Sequence, residues 1–552
     1  MRAARLLAAR LLAARLLAAR LLVLPMLGAA VWSCVAPPAA SSFPARRAAA
    51  ASPVARASRP AARGVAARGV PDNPPGMAAI TQADLQRDLY ALGGDQFRGR
   101  EGGTLDELRA SGWLADRMRE AGLEPAGEDG TFYQWLPMRR LRQSDEGRIA
   151  IGGTALTLFA DAATIAPTDL TVDAPLVFVD ADATVDPAQV RGKAVATVLV
   201  ASAASAPAVP AGGRARPFNA AGVVRRTATK FLEMGAVAVV VVSDSAADAG
   251  FARAGDAMAR GRYGVDTASG TAYWPDQTSG ARRPPAPPIL WVRSRFATLL
   301  RTPGQRLTAQ LATENFLYPS VNLVGRVRGT DPRLRDQYVL YSSHQDHDGV
   351  RTAIAGDSIW NGADDNATGS VTILAVARAF AKHPGRRPVL FVWHGSEERG
   401  LIGSRYHVMH PMVPRNQIVA VLNAEMVGRN DPDSMTILGA IPPHRNSAVL
   451  VDMAKRANDE VSRFKLDTTW DSRTHPQGWY FRSDHLPYAR VGIPAIEFSS
   501  NLHDDYHTPR DEPSRIDYKK LTRVTQWMYA TGWIVANAEQ RPPLDPNFKL
   551  ER

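Results

Sequence analysis

The sequence predicts an α/β protein: a mixed, mostly parallel sheet with flanking crossover helices, interrupted by a small inserted β-rich domain. Three observations carry this expectation. From about residue 315, short apolar strands (Tyr338 to Tyr341, Val389 to Trp393, Ile418 to Leu422 and Ile493 to Phe498) alternate with helical stretches, the pattern of crossover units. Clusters of acids and histidines follow those strands or begin a helix, and ligand sites of such sheets lie at the carboxyl ends of their strands. Between them and an N-terminal helical part, residues 145–312 have a different texture of short strands and Gly/Pro/Ala loops with few histidines or clustered acids.

Taken in order, the elements begin with a leader. Residues 3–22 repeat Ala-Ala-Arg-Leu-Leu four times, and the arginine-free apolar run Leu21 to Trp32 follows. That run is short for a bilayer span and suits the core of an export signal over residues 1–34. The arginines advance about 140° per repeat round a helix and so line no single face, which argues against a helix lying on a membrane surface. Val31-Trp32-Ser33-Cys34 resembles a bacterial lipobox, although Trp32 is bulkier than the small residues usual there. Cys34 is therefore a candidate lipid anchor, the one membrane attachment expected for a protein destined for the periplasm or secretion. Residues 35–77 are Ala/Pro/Arg-rich without apolar periodicity and are expected to form a tether.

The chain has 552 residues, 45% of them hydrophobic and 22% charged, which is a globular composition with room for two or three domains. Its net charge of +12 comes almost wholly from eleven arginines within residues 1–71, where there is no acid and no lysine. The remainder carries about +1, so nucleic-acid binding by the folded part has no electrostatic support. The single cysteine excludes a disulfide scaffold, a cysteine-ligated zinc site and a thiol nucleophile in the body.

Thr81-Gln82-Ala83-Asp84 reads as a capping box, followed by Leu85, Leu89 and Leu92 at helical spacing. Leu108, Trp113, Leu114 and Met118 signal a second helix ending at Gly122. The insert carries strands at Leu176 to Val179, Ala194 to Val200, Val237 to Val242 and Ile289 to Val292, with a helix through Phe231 and Leu232. A long helix starts after Gly369 and stops at His383-Pro384-Gly385. These boundaries divide the body into residues 78–144 plus 313–540 and the insert 145–312.

The chemistry is concentrated in residues 340–511. Tyr341 to His347 ends a strand and contains His344-Gln345-Asp346, a histidine with a carboxylate two residues on, the arrangement of a metal ligand and its orienting acid. Asn361 to Gly369 sets Asp364 and Asp365 at a Gly-flanked turn into a helix, where acids can equally serve as caps. Glu397 and Glu398 lie just past an apolar strand, a costly place for two carboxylates unless metal or protons use them. Glu425 ends the next strand, and Asp504 to Asp511 follows the last. Three carboxylates and two histidines at one sheet edge, without sulfur, suit zinc or another divalent first-row metal in an open hydrolytic site. One carboxylate could bridge two ions about 3.5–4 Å apart.

These residues resemble the family-28 metallopeptidases, the di-zinc aminopeptidases. The family's motifs stand here as His344-Gln345-Asp346, Gly362 to Gly369, Glu397 to Ser404, Asn423 to Met426, Ser483-Asp484-His485 and Tyr506 to Asp511. Order and approximate spacing match over roughly residues 78–535. The insert is similar to a protease-associated domain, through Val190 to Lys193 and Lys230 to Val239.

The resemblance implies a zinc-aminopeptidase-like fold and two Zn2+ ions, one held by His344 and Glu425 and the other by Glu398 and His507. It makes Asp364 the bridge, Asp346 the orienter of His344 and Glu397 the general base. The metals would lower the pKa of a shared water, and Glu397 would carry its proton to the leaving amine. Tyr506 would donate to the developing oxyanion. Where the family often has Asp this chain has Glu425, which leaves the metal less determined than metal binding itself. His347, His394 and His485 are read as supporting or structural, because the ligand set is complete without them.

The expected function is removal of N-terminal residues from peptides or proteins. A carboxypeptidase or dipeptidase on the same scaffold is the alternative, and would need a cationic pocket; Arg405, Arg429 and Arg482 are near in sequence. A glutaminyl cyclase is disfavoured by the two-metal set, and a receptor-like binding protein by the presence of every expected ligand and the base.

Overall fold

A computed structural model describes residues 74–199, 220–267, 270–273 and 288–550. The leader with Cys34, and the tether up to residue 73, lie outside the described residues, as does most of the Pro284 to Pro288 run.

The strands Tyr338–His344, Val389–His394 and Ile418–Glu425 are near-continuous apolar runs buried on both faces, as helix-covered parallel strands must be. They belong to a nine-stranded sheet. At its centre Val389–His394, Tyr338–His344, Ile418–Glu425 and Ala495–Ser499 run parallel. Ser320–Val327 flanks them antiparallel on one side and Ser434–Leu438 on the other. The four parallel strands finish at the same edge: His344 lies beside His394, and Glu425 beside Ser499.

Helix Gly369–Lys382 is apolar on nearly every side and buried through most of its length, as a helix trapped between layers should be. Together with Gln82–Leu92, Leu105–Glu120, Ala448–Ala457 and Tyr518–Asn537 it covers one face of the sheet in a single apolar core. Helices Ile402–Met409 and His485–Arg490 supply Val408, Tyr488 and Ala489 to the core of the other face. The capping residues read from the sequence act as such: Thr81 Oγ1 accepts from the Asp84 amide, and Gly369–Lys382 stops at His383. Two buried polar tips in this core are tied down, Tyr341 Oη donating to the Met528 carbonyl and Trp393 Nε1 to that of Ser370.

The insert forms its own eight-stranded sheet, parallel through Leu170–Phe178, Ala194–Val198, Ala238–Val242 and Ile289–Val292. An apolar core lies on each of its faces. Strands Met138–Gln143 and Thr313–Leu317 pair with each other where the chain leaves and re-enters the part that holds the nine-stranded sheet. The insert strands Arg262–Thr267 and Gly270–Tyr273 extend that pair into a four-stranded sheet. Helix Phe251–Arg260 ends in Arg260, whose NH1 donates to Glu101 at 2.5 Å, so the insert is clamped to the N-terminal part by a buried ion pair.

Candidate metal centre

Each candidate side chain is delivered by the end of a central strand or by the turn that follows it. His344 and Glu425 are the last residues of their strands. Glu397 and Glu398 occupy the turn after Val389–His394, and His507 the loop after Ala495–Ser499. Asp365 lies in the turn entering Gly369–Lys382. Gly362 must be glycine here: its φ is 57°, and a Cβ would meet Asp365 O at 2.1 Å and His347 Cγ at 2.2 Å. Ser396, Leu401, Met426 and His507 take positive φ of 50–57° without being glycine. Such residues cost on the order of 1–3 kcal/mol each and cluster where surrounding structure over-determines a functional geometry; these four flank Glu397–Glu398, follow Glu425, or are His507 itself.

Two groups result. In one, His344 Nε2 lies 3.3 Å from an Asp365 oxygen and 3.3 Å from Glu425 Oε2. In the other, His507 Nε2 lies 3.1 Å from Asp365 Oδ2 and 3.2 Å from Glu398 Oε1, and His347 Nδ1 lies 2.9 Å from the same Glu398 oxygen. Asp365 belongs to both groups. All these residues are buried except His507, which is partly exposed. His507 Nε2, His347 Nδ1 and Glu398 Oε1 are buried without any hydrogen bond, although they lie so close together. Nitrogen and oxygen atoms at contact distance but not aligned with each other converge on a common centre, and this all-N/O donor set fits a zinc-type ion.

The electrostatics agree. Burial pulls the His344 imidazolium down, but the Glu425 and Glu397 carboxylates carry its pKa well above the usual histidine range. Glu398 and Tyr506 do the same to His507 against the same burial. Burial raises Glu425 to about 7. It holds Glu397 well above the carboxylate range, with Glu398 and Asp484 adding repulsion. Glu398 is kept well below that range by His507 and His347, which overcome its burial. Acids crowded together in low dielectric demand positive charge, and a dication answers that demand better than protons.

The carboxylate shared by the groups is Asp365, not Asp364 as expected. Asp364 Oδ1 accepts from the Gly428 amide at 2.7 Å and from Thr368 Oγ1 at 3.1 Å, and its Oδ2 faces His503 Nε2 at 3.3 Å. The Gly428 amide and the Thr368 hydroxyl thus turn Asp364 away from the centre, while Asp511 accepts from the amides of both Asp364 and Asp365 and shapes the turn. His347, expected outside the ligand set, lies within the Glu398 group of residues that could hold an ion. Asp346 is placed differently as well. Its carboxylate accepts from the amides of Glu397 (2.9 Å) and Glu398 (3.4 Å), while its backbone carbonyl, at 3.1 Å, meets His344 Nδ1. Its carboxylate is 3.8 Å from that nitrogen.

Glu397 Oε2 lies 3.8 Å from His344 Nε2, beside the first group. Tyr506 packs on His507 with ring centroids 3.9 Å apart, and its hydroxyl oxygen accepts from Arg482 NH2 at 2.8 Å. Neither His394, beside Tyr488 Oη, nor His485, 2.6 Å from Glu497, joins a group. Of the arginines considered for a carboxylate pocket, Arg429 is paired with Asp505 at 2.7 Å and Arg482 is on Tyr506. Sequence reasoning missed Asp348, 3.2 Å from His507 Nδ1, and gave no role to Ser483 within its motif, although Ser483 Oγ donates to Glu425 at 2.6 Å. The acid–histidine alternation of residues 344–348 was the available signal for Asp348.

Comparison with known proteins bears on the same residues. Residues 322–532 match the model of peptidase family M28. Leucine aminopeptidase 1 of Trichophyton rubrum is 24% identical over 246 residues, 42% of this chain and 62% of that protein. Aminopeptidase YwaD of Bacillus subtilis (strain 168) is 25% identical over 191 residues, 33% of this chain and 39% of that protein. The chain thus spans less than two thirds of either relative. Among solved structures, an aminopeptidase from Aneurinibacillus sp. strain AM-1 superposes with a TM-score of 0.51 at 18% identity, over 86% of this chain and 98% of that one. BSAP, a zinc aminopeptidase from Bacillus subtilis, gives a TM-score of 0.52 at 18% identity, over 85% and 99%. The fold is therefore that of the zinc aminopeptidases. The strand ends, the acid turns and the His507 loop all fall inside residues 322–532, the segment that matches the model of peptidase family M28.

Proposed function

We propose that this chain is an exported metallo-aminopeptidase that uses two zinc ions to hydrolyse the N-terminal peptide bond of peptides or proteins. The observation that carries the reading is Asp365, one carboxylate shared by two buried histidine–carboxylate groups. His344 and Glu425 would hold one ion, Glu398 and His507 the other, with Asp365 between them. Bound there, the ions supply Lewis acidity for the scissile carbonyl and make water a nucleophile near neutral pH.

The protein's own groups do the rest. Glu397, its carboxyl raised by burial, takes the water proton and returns it to the leaving amine. Asp346 holds the turn that presents Glu397 through the two amides it accepts from. Tyr506 accepts from Arg482, a residue that can only donate, which leaves the hydroxyl proton to meet the developing oxyanion. The names of the similar proteins, leucine aminopeptidase and zinc aminopeptidase, support an N-terminal substrate and zinc. The leader reading supports export, with Cys34 as the candidate anchor. The insert is read as a protease-associated domain clamped through Arg260 and Glu101.

The test is hydrolysis of a panel of aminoacyl-arylamides by the purified chain, with zinc, after chelation, and with Glu397→Gln. Cleavage lost on chelation, restored by zinc and lowered about 10²–10⁴-fold in Glu397→Gln is expected. Cleavage only of peptides with blocked amino termini would replace this reading with a carboxypeptidase. A folded protein that binds no metal and cleaves nothing would overturn it.

A further inference from the structure

The two groups are unequal. The His344 group has three members and the Glu398 group has four, the additional one being His347. We infer that His347 is a metal ligand, the fourth of the ion held by Asp365, Glu398 and His507, so that this ion is closed by protein atoms and the His344–Glu425 ion keeps the open position. The inference rests on the two-metal reading above and adds a ligand to it.

The geometry is the first support. A tetrahedral ion with bonds of about 2.0–2.1 Å separates its ligand atoms by about 3.3 Å. The four nitrogen–oxygen separations in this group are 2.9 Å (His347–Glu398), 3.8 Å (His347–Asp365), 3.1 Å (His507–Asp365) and 3.2 Å (His507–Glu398). They scatter about the tetrahedral edge.

The second support is the absence of alignment. At 2.9 Å neither His347 Nδ1 nor Glu398 Oε1 makes a hydrogen bond; the pair His485–Glu497, 2.6 Å apart, is equally unaligned outside both groups, so the misalignment supports coordination here only together with the convergence of four ligand atoms. The His347 ring is wholly buried, and a buried polar atom without a partner costs about 1–3 kcal/mol. Coordination removes that cost at Nδ1. His507 shows how a ligand histidine is set in this fold, with Nε2 toward the acids and Nδ1 3.2 Å from Asp348. The His347 ring meets that of His507 edge-to-face at 5.2 Å between centroids, so both approach one centre from different directions.

The chain leaves room for this arrangement and little else. Gly362 approaches His347 so closely that a Cβ would sit 2.2 Å from its Cγ, and the ring is held against the Asp365 turn. By the same count the two ions share three imidazoles, those of His344, His347 and His507, instead of two. A closed four-ligand site is the form of structural zinc, while catalytic sites keep a position open.

X-ray absorption of the wild-type zinc protein counts imidazoles directly and needs no variant. Three imidazoles over two ions is the expected result; two would overturn the inference even in an enzyme that binds two ions and cleaves arylamides, leaving the aminopeptidase reading intact. A wild-type protein that binds no zinc would remove both. Competition with a chromophoric chelator then compares His347→Gln with wild type. Loss of one ion's affinity by more than about 100-fold is expected, beyond the 10–100-fold typical of a supporting partner. It should come with a changed Co2+ absorption spectrum for that ion alone. Unchanged affinity, or weakened affinity with an unchanged Co2+ spectrum, would make His347 an orienting residue and refute the assignment.

Discussion

Two buried histidine–carboxylate sites in this molecule look alike in composition and differ in alignment. Against the turn after Ser434–Leu438, Asp471 is fully buried and both its oxygens are engaged. Oδ1 accepts from the Gly439 amide at 3.1 Å and faces His444 Nδ1 at 2.9 Å; Oδ2 accepts from Ala440 and Ile441 at 2.7 and 2.9 Å. In the metal centre, Glu398 Oε1 is as close to two histidines and is bonded to neither. Composition therefore does not distinguish a structural knot from a reactive centre. In the first, donors are aimed at acceptors; in the second, four ligand atoms from four residues converge on a shared point, a convergence that the equally unaligned pair His485–Glu497 lacks.

Exchanging the two neighbouring acids of the Asp364–Asp365 turn tests that distinction most strongly. Asp365→Asn removes a ligand common to both groups, and arylamide hydrolysis should fall by at least ~10³-fold, about 4 kcal/mol of barrier, with metal content measured alongside. Asp364→Asn should keep both ions. The reverse outcome would reinstate Asp364 as the bridge. Next in size, Asp471→Ala strands three backbone amides and a histidine, and should lower unfolding free energy by about 3 kcal/mol or more in denaturant titrations. Metal stoichiometry should not change. Loss of an ion from that variant would erase the contrast between the two sites.

Buried histidines outside the centre extend the comparison to pH. Burial lowers His407 to about 4, and its Nδ1 contacts Gln134 Oε1 at 2.8 Å. Between its unfolded value near 6.5 and about 4, the unfolded chain binds the extra proton. Stability is therefore complete above pH 6.5, falls as pH drops toward 4, and levels below, by about 3 kcal/mol in all. Zinc-saturated His407→Gln should show a shallower acid slope than wild type in equilibrium unfolding; identical slopes would mean that His407 titrates normally. The smallest effect is expected from Tyr506→Phe, which removes one donor: kcat falls about 10²-fold with KM little moved. A rise in KM alone would assign Tyr506 to substrate binding.

Much of this was legible in the chain. Helix starts, the stop at His383, strand Ile289–Val292 and the sheet edge on which the acids and histidines gather follow from periodicity, capping chemistry and punctuation by proline and glycine, which are local properties. The residue types at the centre were equally readable, because carboxylates placed just past apolar strands have few uses there. The long-range assembly of the insert was less so. Its parallel sheet depends on pairing between strands separated by tens of residues, and the four-stranded sheet joins Arg262–Thr267 to Met138–Gln143.

The sequence by itself determined that an α/β scaffold would bring histidines and acids to one edge without sulfur, and which segments would carry them. Only the tertiary structure decided which of them meet. Asp364 and Asp365 are identical neighbours in sequence, and the amide of Gly428, 64 residues away, turns one aside and leaves the other facing the centre. His347 and Asp348 enter through Glu398 and His507, and Tyr506 is oriented by Arg482. Side-chain direction at a turn is set by the donors and acceptors that other strands bring to it, and those partners are fixed only when the sheet has closed its register.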